Sequence, residues 1–140
     1  KLLTLRGLTL PWVEIKYQKE NVTKKGYLWK GFIAIGDSFY KNVRFITSLS
    51  KKMNKKVTEN NNGYKYDYIK TFYGFKIHVC DLSNTVLAEK TFEHSVSDNY
   101  FFTNSTIGDY GLKNVISIYR VVFNGEACGV PTEHKYFYSY

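Results

Sequence analysis

The sequence predicts an all-β fold, an antiparallel β-sandwich of immunoglobulin-like topology formed as a single domain over residues 1–140, and three observations predict it. The chain carries 13 Tyr and 10 Phe among 140 residues, and aromatic side chains favour a pleated, half-buried surface. Alanine, the best helix former, occurs only at Ala34, Ala88 and Ala127, which counts against the helical classes. Apolar and polar residues also alternate through short segments separated by turn residues, the pattern of strands with one buried face. At this length a real core forms without help from metals or disulfides.

Residues 1–10 are apolar in places but interrupted by Arg6 and Gly7. They are too short to span a bilayer and too strand-like to be a signal peptide. With Lys1 at its start, the chain reads as a processed product or a piece of something longer. Residues 12–17 predict a short edge strand, 19–25 a polar turn, and 26–35 a strand with Tyr27, Trp29, Ile33 and Ile35 on one face. Gly36 and Asp37 then turn the chain into residues 40–49, where Val43, Phe45, Thr47 and Leu49 alternate with Asn42, Arg44 and Ser48. Segments 26–35 and 40–49 are expected to pair as antiparallel neighbours.

Residues 50–63 form the most polar stretch, with Lys51, Lys52, Lys55 and Lys56 followed by Asn60-Asn61-Asn62-Gly63. It predicts a long exposed loop, with at most a weak edge strand around Val57. The run Tyr64-Lys65-Tyr66-Asp67-Tyr68 puts three tyrosines on one face of a strand. After it, Tyr73, Phe75, Ile77 and Val79 alternate cleanly with Gly74, Lys76, His78 and Cys80. Residues 82–84 predict a turn, and 85–92 and 99–103 weaker strands. Residues 112–123 are apolar on both faces through Val115, Ile116, Ile118, Val121, Val122 and Phe123. That marks a central strand, and Asn124-Gly125 after it is a hairpin signal. The tail, 133–140, is aromatic again. No repeat, low-complexity tract or domain linker interrupts the chain.

A formal charge of +8, from 20 Lys+Arg against 12 Asp+Glu, would attract polyanions. The lysines fall on alternate strand positions, so the expected reading is a solvated surface that keeps strand edges unpaired. Nucleic acid is accordingly disfavoured as a partner, although the cluster from Lys51 to Lys56 leaves polyanion binding as a third possibility. No run is long enough for a transmembrane helix, and a soluble domain is expected.

Cys80 and Cys128 match no zinc-ligand spacing, and whether they pair as a disulfide is open. The sequons Asn21-Val22-Thr23 and Asn104-Ser105-Thr106 lean toward a secreted or surface location and leave the compartment unsettled.

Catalytic patterns do not assemble. Of His78, His94 and His134, the first shares a strand face with Cys80, but a metal site would need a third ligand. A half-buried imidazole beside a small core thiol is the expected arrangement. Glu59, Asp67 and Glu126 suggest no acid/base pair, and no phosphate loop, nucleophile elbow or HExxH pattern occurs. No enzyme and no cofactor are expected. Lys41-Asn42-Val43-Arg44-Phe45 fits a loose docking pattern, but reads better as an internal strand with Val43 and Phe45 inward.

The functional lead is aromatic. Tyr64, Tyr66 and Tyr68 leave an amide-rich turn containing Asn61 and Asn62. Exposed rings there would stack on sugar faces or a protein surface, with the amides bonding hydroxyls. The same rings, and those of Tyr136, Tyr138 and Tyr140, fit an ordinary sandwich core equally well.

Two stretches resemble the starch- and glycogen-binding modules of carbohydrate-binding family 21. The first runs from Gly31 through Phe39 and Val43 to Phe45; the second runs from Ile116 through Tyr119 to Gly125 and is followed by Lys135-Tyr136-Phe137. Between them, Tyr73-Gly74-Phe75-Lys76-Ile77 resembles an aromatic–x–aromatic–x–Ile strand of that family. The resemblance implies a β-sandwich and a polyglucan ligand, with Phe39 at a position where the family often has a binding aromatic. The chain departs from the family at its Trp, where residues 50–56 are lysine-rich, and at its aromatic–Asp–Asn–Asn run, replaced by Cys128-Gly129-Val130-Pro131-Thr132.

The expectation is therefore a non-catalytic recognition module, binding polysaccharide through Phe39, Tyr64, Tyr66 and Tyr68 with Asn61 and Asn62. The alternative is a protein-interaction or structural domain that docks on a larger assembly or cell surface.

Overall fold

The computed structural model describes residues 2–5, 8–95, 100–125 and 128–140. Among them the chain is all-β with antiparallel pairing: β1 (Leu2–Leu5), β2 (Leu8–Lys19), β3 (Val22–Trp29), β4 (Gly36–Tyr40), β5 (Val43–Asn61), β6 (Tyr64–Cys80), β7 (Val86–His94), β8 (Tyr100–Thr106), β9 (Ser117–Gly125) and β10 (Glu133–Ser139). They form three sheets, ordered β1-β2-β3, β4-β5-β6-β7 and β10-β9-β8. A short 3-10 turn, Lys30–Phe32, follows β3. Asn99, Glu126 and Ala127, like Lys1, Arg6 and Gly7, lie outside the described residues.

The four-stranded sheet and the β10-β9-β8 sheet share one core, an arrangement compatible with a β-sandwich. Trp29, Phe45, Leu49, Tyr73, Phe75 and Ile77 meet Tyr119, Val121 and Phe123 there. Alternation decides who enters: Phe45, Thr47 and Leu49 on β5 and Tyr73, Phe75 and Ile77 on β6 are buried, as period two requires. Phe45 stacks on Tyr119 at 4.9 Å, and Phe75 packs against both Phe92 and Phe123. Each fully buried ring contributes about 2–3 kcal/mol of transfer free energy. β9 is the central strand of its sheet, as its two apolar faces predict, but it begins at Ser117, and residues 112–116 are not strand.

The two sheets are joined along one seam. Ser38 Oγ lies 2.9 Å from Thr106 Oγ1 and accepts from the Thr106 amide at 3.0 Å. The Thr106 hydroxyl donates to the Phe39 carbonyl. Gly36 permits this approach, since a Cβ there would fall 2.0 Å from Asn104 Oδ1.

Several sequence expectations are corrected. Residues 12–17 belong to the longer β2 and pair on one side only, with β3, because β1 meets β2 at residues 8–11. Segment 26–35 is not one strand, because β3 ends at Trp29 and the chain turns over the indole. A Cβ at Gly31 would sit 2.0 Å from that ring, so glycine lets the turn lie on it. Gly36 and Asp37 begin β4 rather than a turn, and β5 pairs with β4 and β6, not with β3. Asn124 and Gly125 end β9, pairing with Phe101 and Tyr100, instead of making a tight hairpin. A Cβ at Gly125 would meet the Val130 carbonyl at 2.1 Å.

The largest correction concerns residues 50–63. They are strand, not loop: β5 runs to Asn61 and pairs with β6 residue by residue from Lys51↔Gly74 to Asn61↔Tyr64. The turn is two residues, Asn62 at φ 50° and Gly63 at φ 86°, the left-handed pair that matches the twist of a hairpin. A register shift between Leu49 and Lys51 marks where β5 leaves the core. Gly74 makes room for it, as a Cβ there would fall 2.5 Å from Ser50 Oγ.

Candidate recognition surface on the β5–β6 arm

β4 accompanies β5 only as far as Thr47, and β7 accompanies β6 only from Tyr73. The nine pairs from Met53↔Phe72 to Asn61↔Tyr64 therefore stand as a two-stranded arm, ~30 Å long at the usual strand rise. No third strand pairs with it among the described residues.

Alternation gives the arm two unlike faces. One carries Met53, Lys55, Val57, Glu59 and Asn61 with Phe72, Lys70, Tyr68, Tyr66 and Tyr64. By strand periodicity it continues the face of Lys76 and His78, away from the core. The other carries Lys52, Asn54, Lys56, Thr58 and Asn60 with Thr71, Ile69, Asp67 and Lys65. Lys56 pairs with Asp67 at 2.6 Å, and Thr58 donates to the same carboxylate at 2.7 Å.

On the aromatic face Glu59 organises the rings. It sits opposite Tyr66, whose hydroxyl donates to it at 2.7 Å, and Tyr68 donates to its other oxygen. The Tyr66 and Tyr68 rings lie 5.9 Å apart at 26°. The two hydroxyl donors, Tyr68 first, hold the Glu59 carboxyl below the usual carboxylate range. Hydrogen bonding to Glu59 in turn pushes both tyrosines above their ordinary value. Tyr64, next to the turn, is 81% exposed, and Asn61 and Asn62 are exposed beside it. At the arm's root, Glu93 of β7 binds Lys51 at 3.3 Å and also Lys55, whose ammonium lies over Phe72.

The structure thus brings Tyr64, Tyr66, Tyr68, Asn61 and Asn62 together and leaves Phe39 out. Phe39 pairs with Arg44 near the other end of β5, roughly 55 Å of strand away. It is exposed under the Arg44 guanidinium, 5.1 Å from its ring, while Arg44 bonds Asp37 at 2.8 Å and Asn84 at 3.1 Å. Sequence reasoning missed Glu59 as the residue that fixes the tyrosine pair. The signal was its position in register with Tyr66, hidden once residues 50–63 were read as loop.

The remaining candidates have structural surroundings. His78 faces Glu89 at 3.6 Å. His94 is buried and stacks on Phe123 at 3.8 Å. No group of three His, Cys, Asp or Glu side chains is placed to hold a metal among the described residues. Cys80 is a buried thiol and Cys128 an exposed one, and they are not bonded to each other. No helix is long and apolar enough to cross a membrane among the described residues. No family model, curated protein or solved structure matches this chain.

Proposed function

We propose that the chain is a non-catalytic recognition module, one domain whose β5–β6 arm docks on a partner protein through its tyrosine face. The observation that carries this reading is the uncovered arm itself. A two-stranded hairpin is marginal alone in water, and a sheet face with apolar rings is stabilised when another layer covers it. Here Tyr64 and Tyr66 remain 81% and 46% exposed. Tyrosine rings supply rigid contact area at low entropic cost. On the same face Lys70 adds a positive charge close to Glu59. The expected immunoglobulin-like exchange of strands finds no support in the sequential strand orders, and this reading does not depend on it.

Polysaccharide is the second reading, favoured by the Tyr66–Tyr68 platform beside the Asn61 and Asn62 amides and by the resemblance to starch-binding modules. One comparison separates them. The Tyr64→Ala/Tyr66→Ala variant and the native chain, each carrying a photo-crosslinking residue in place of Asn61, are exposed to the proteins of its natural setting and to a glycan array. The docking reading expects a protein crosslink at position 61 that falls at least tenfold in the variant. Saturable glucan binding lost in the variant, with no protein crosslink, replaces it by the second reading. Equal behaviour of both chains removes the arm from either role.

A further inference from the structure

The outer face of the β10-β9-β8 sheet is a second surface, remote from the tyrosines of the arm. Tyr119, Val121 and Phe123 of β9 enter the core, so Ile118, Arg120 and Val122 turn the other way. The register sets Arg120 between Tyr136 of β10 and Ser105 of β8, with His134 and Tyr138 flanking Tyr136 along β10. We infer that this face binds single-stranded nucleic acid, with bases on the β10 rings and a phosphate on Arg120.

Arg120 is short of acceptors. Its side chain is half-buried, Nε is buried without a hydrogen-bond partner, and Nη2 reaches only Ser105 Oγ at 3.4 Å. It makes no ion pair among the described residues, in contrast to Arg44, which binds Asp37. Buried N–H groups are normally satisfied, and a phosphate meets two guanidinium N–H groups at once. No carboxylate on the face competes for it. Glu133, the acidic residue of these three strands, pairs with Phe123 on the core side. Asp109 lies past the end of the face, beyond the Gly108 carbonyl that takes the Ile118 amide, and its own carboxylate accepts the Gly111 amide. The rings are presented rather than packed: His134, Tyr136 and Tyr138 are exposed, alternating with half-buried Lys135 and Phe137. His134 and Tyr136 lie 6.1 Å apart and within 14° of parallel, and the next ring of the row follows ~7 Å on along the strand. A row of rings beside a cation matches the alternation of base and phosphate in an unpaired strand, whose base faces are open to stacking. The lysines of the chain play little part here, since Lys135 pairs with Val121 on the core side. Affinity therefore rests on stacking, with the +8 charge speeding encounter.

Fluorescence anisotropy of labelled decathymidylate titrated with the full chain tests this. Saturable binding is expected, with a shallow salt slope of about −0.7, the value for one phosphate of a single strand. A labelled duplex of the same length should bind at least tenfold more weakly. Tyr136→Leu/Tyr138→Leu, which keeps apolar bulk at exposed positions, should weaken the single strand at least tenfold while circular dichroism stays native. Arg120→Gln should weaken it at least threefold and flatten the salt slope. Lys52→Gln/Lys56→Gln, on the arm, should change it less than twofold. No saturable rise at ~100 µM chain, the weak end of non-specific binding, overturns the inference. So does equal affinity for the duplex, a steep salt slope that the arm variant reduces, or full binding by the tyrosine variant. Polyglutamate that competes as well as unlabelled decathymidylate overturns it too, and assigns the face to an acidic protein segment.

Discussion

Tyr119 shows how a polar atom is held inside an aromatic core. Its side chain is fully buried, its ring stacks on Phe45, and its hydroxyl lies 2.6 Å from Thr47 Oγ1 across the two sheets. Burial pushes its ionisation up to about 12, against the opposing hydrogen bonds from Thr47 and Asn104. An unfolded tyrosine ionises near 10. Between about 10 and 12 the unfolded chain therefore binds fewer protons than the folded one, and stability falls as pH rises through that window. The loss from this group approaches about 2–3 kcal/mol by its upper end. Tyr119→Phe should cost about 1 kcal/mol near neutrality, from the lost hydrogen bond and the unpaired Thr47 hydroxyl. It should also flatten the alkaline fall. Urea unfolding from pH 8 to 12 reads both, and an identical alkaline slope in the two proteins would refute the assignment. At this scale alternation was legible: the sequence places Tyr73, Phe75 and Ile77 on one face, and all three are buried. It left Tyr64, Tyr66 and Tyr68 undecided because period two tells which residues share a face, not which face is covered.

Elements were less legible than residues, and the arm shows why. Lysine and asparagine are poor strand formers, so residues 50–61 carry no local strand signal. What orders them is pairing with the aromatic β6 across the hairpin, from Asn61↔Tyr64 out to Lys51↔Gly74, a signal that residues 50–61 do not carry by themselves. The Asn62-Gly63 pair was the readable clue, a strong hairpin signal that the adjoining asparagines obscured. Gly63 occupies φ 86° with open space around the position of a Cβ. Valine there would suffer only the backbone penalty of the left-handed region, about 1 kcal/mol or somewhat more. That cost falls on the arm and not on the core. Gly63→Val should speed hydrogen exchange across residues 53–61 about fivefold or more, the factor matching such an energy. The melting temperature should hardly move. A global destabilisation of several degrees, with uniform exchange, would show that the arm and core unfold as one unit.

For the whole molecule, the division between core and arm sets the argument. The core residues of β5 end at Leu49 and those of β6 begin at Tyr73, so the aromatic packing that stabilises the fold lies entirely below the arm. Glu93 ties the two through Lys51 and Lys55, but exposed ion pairs contribute at most about 1 kcal/mol. Replacing residues 53–72 by Asn-Gly would join Lys52 directly to Tyr73, its partner in the register, through a two-residue turn that suits the strand twist. Glu93 would keep Lys51. The shortened chain should fold with the same near-ultraviolet dichroism from Trp29 and Tyr119 and melt within about 5 °C of the parent, a shift worth roughly 1 kcal/mol. It should also lose whatever the tyrosine face binds. A collapsed near-ultraviolet signal would mean that the arm covers apolar surface of the core. Retained partner binding would move the recognition surface elsewhere, toward the exposed β2–β3 hairpin, where Tyr27 is 70% exposed.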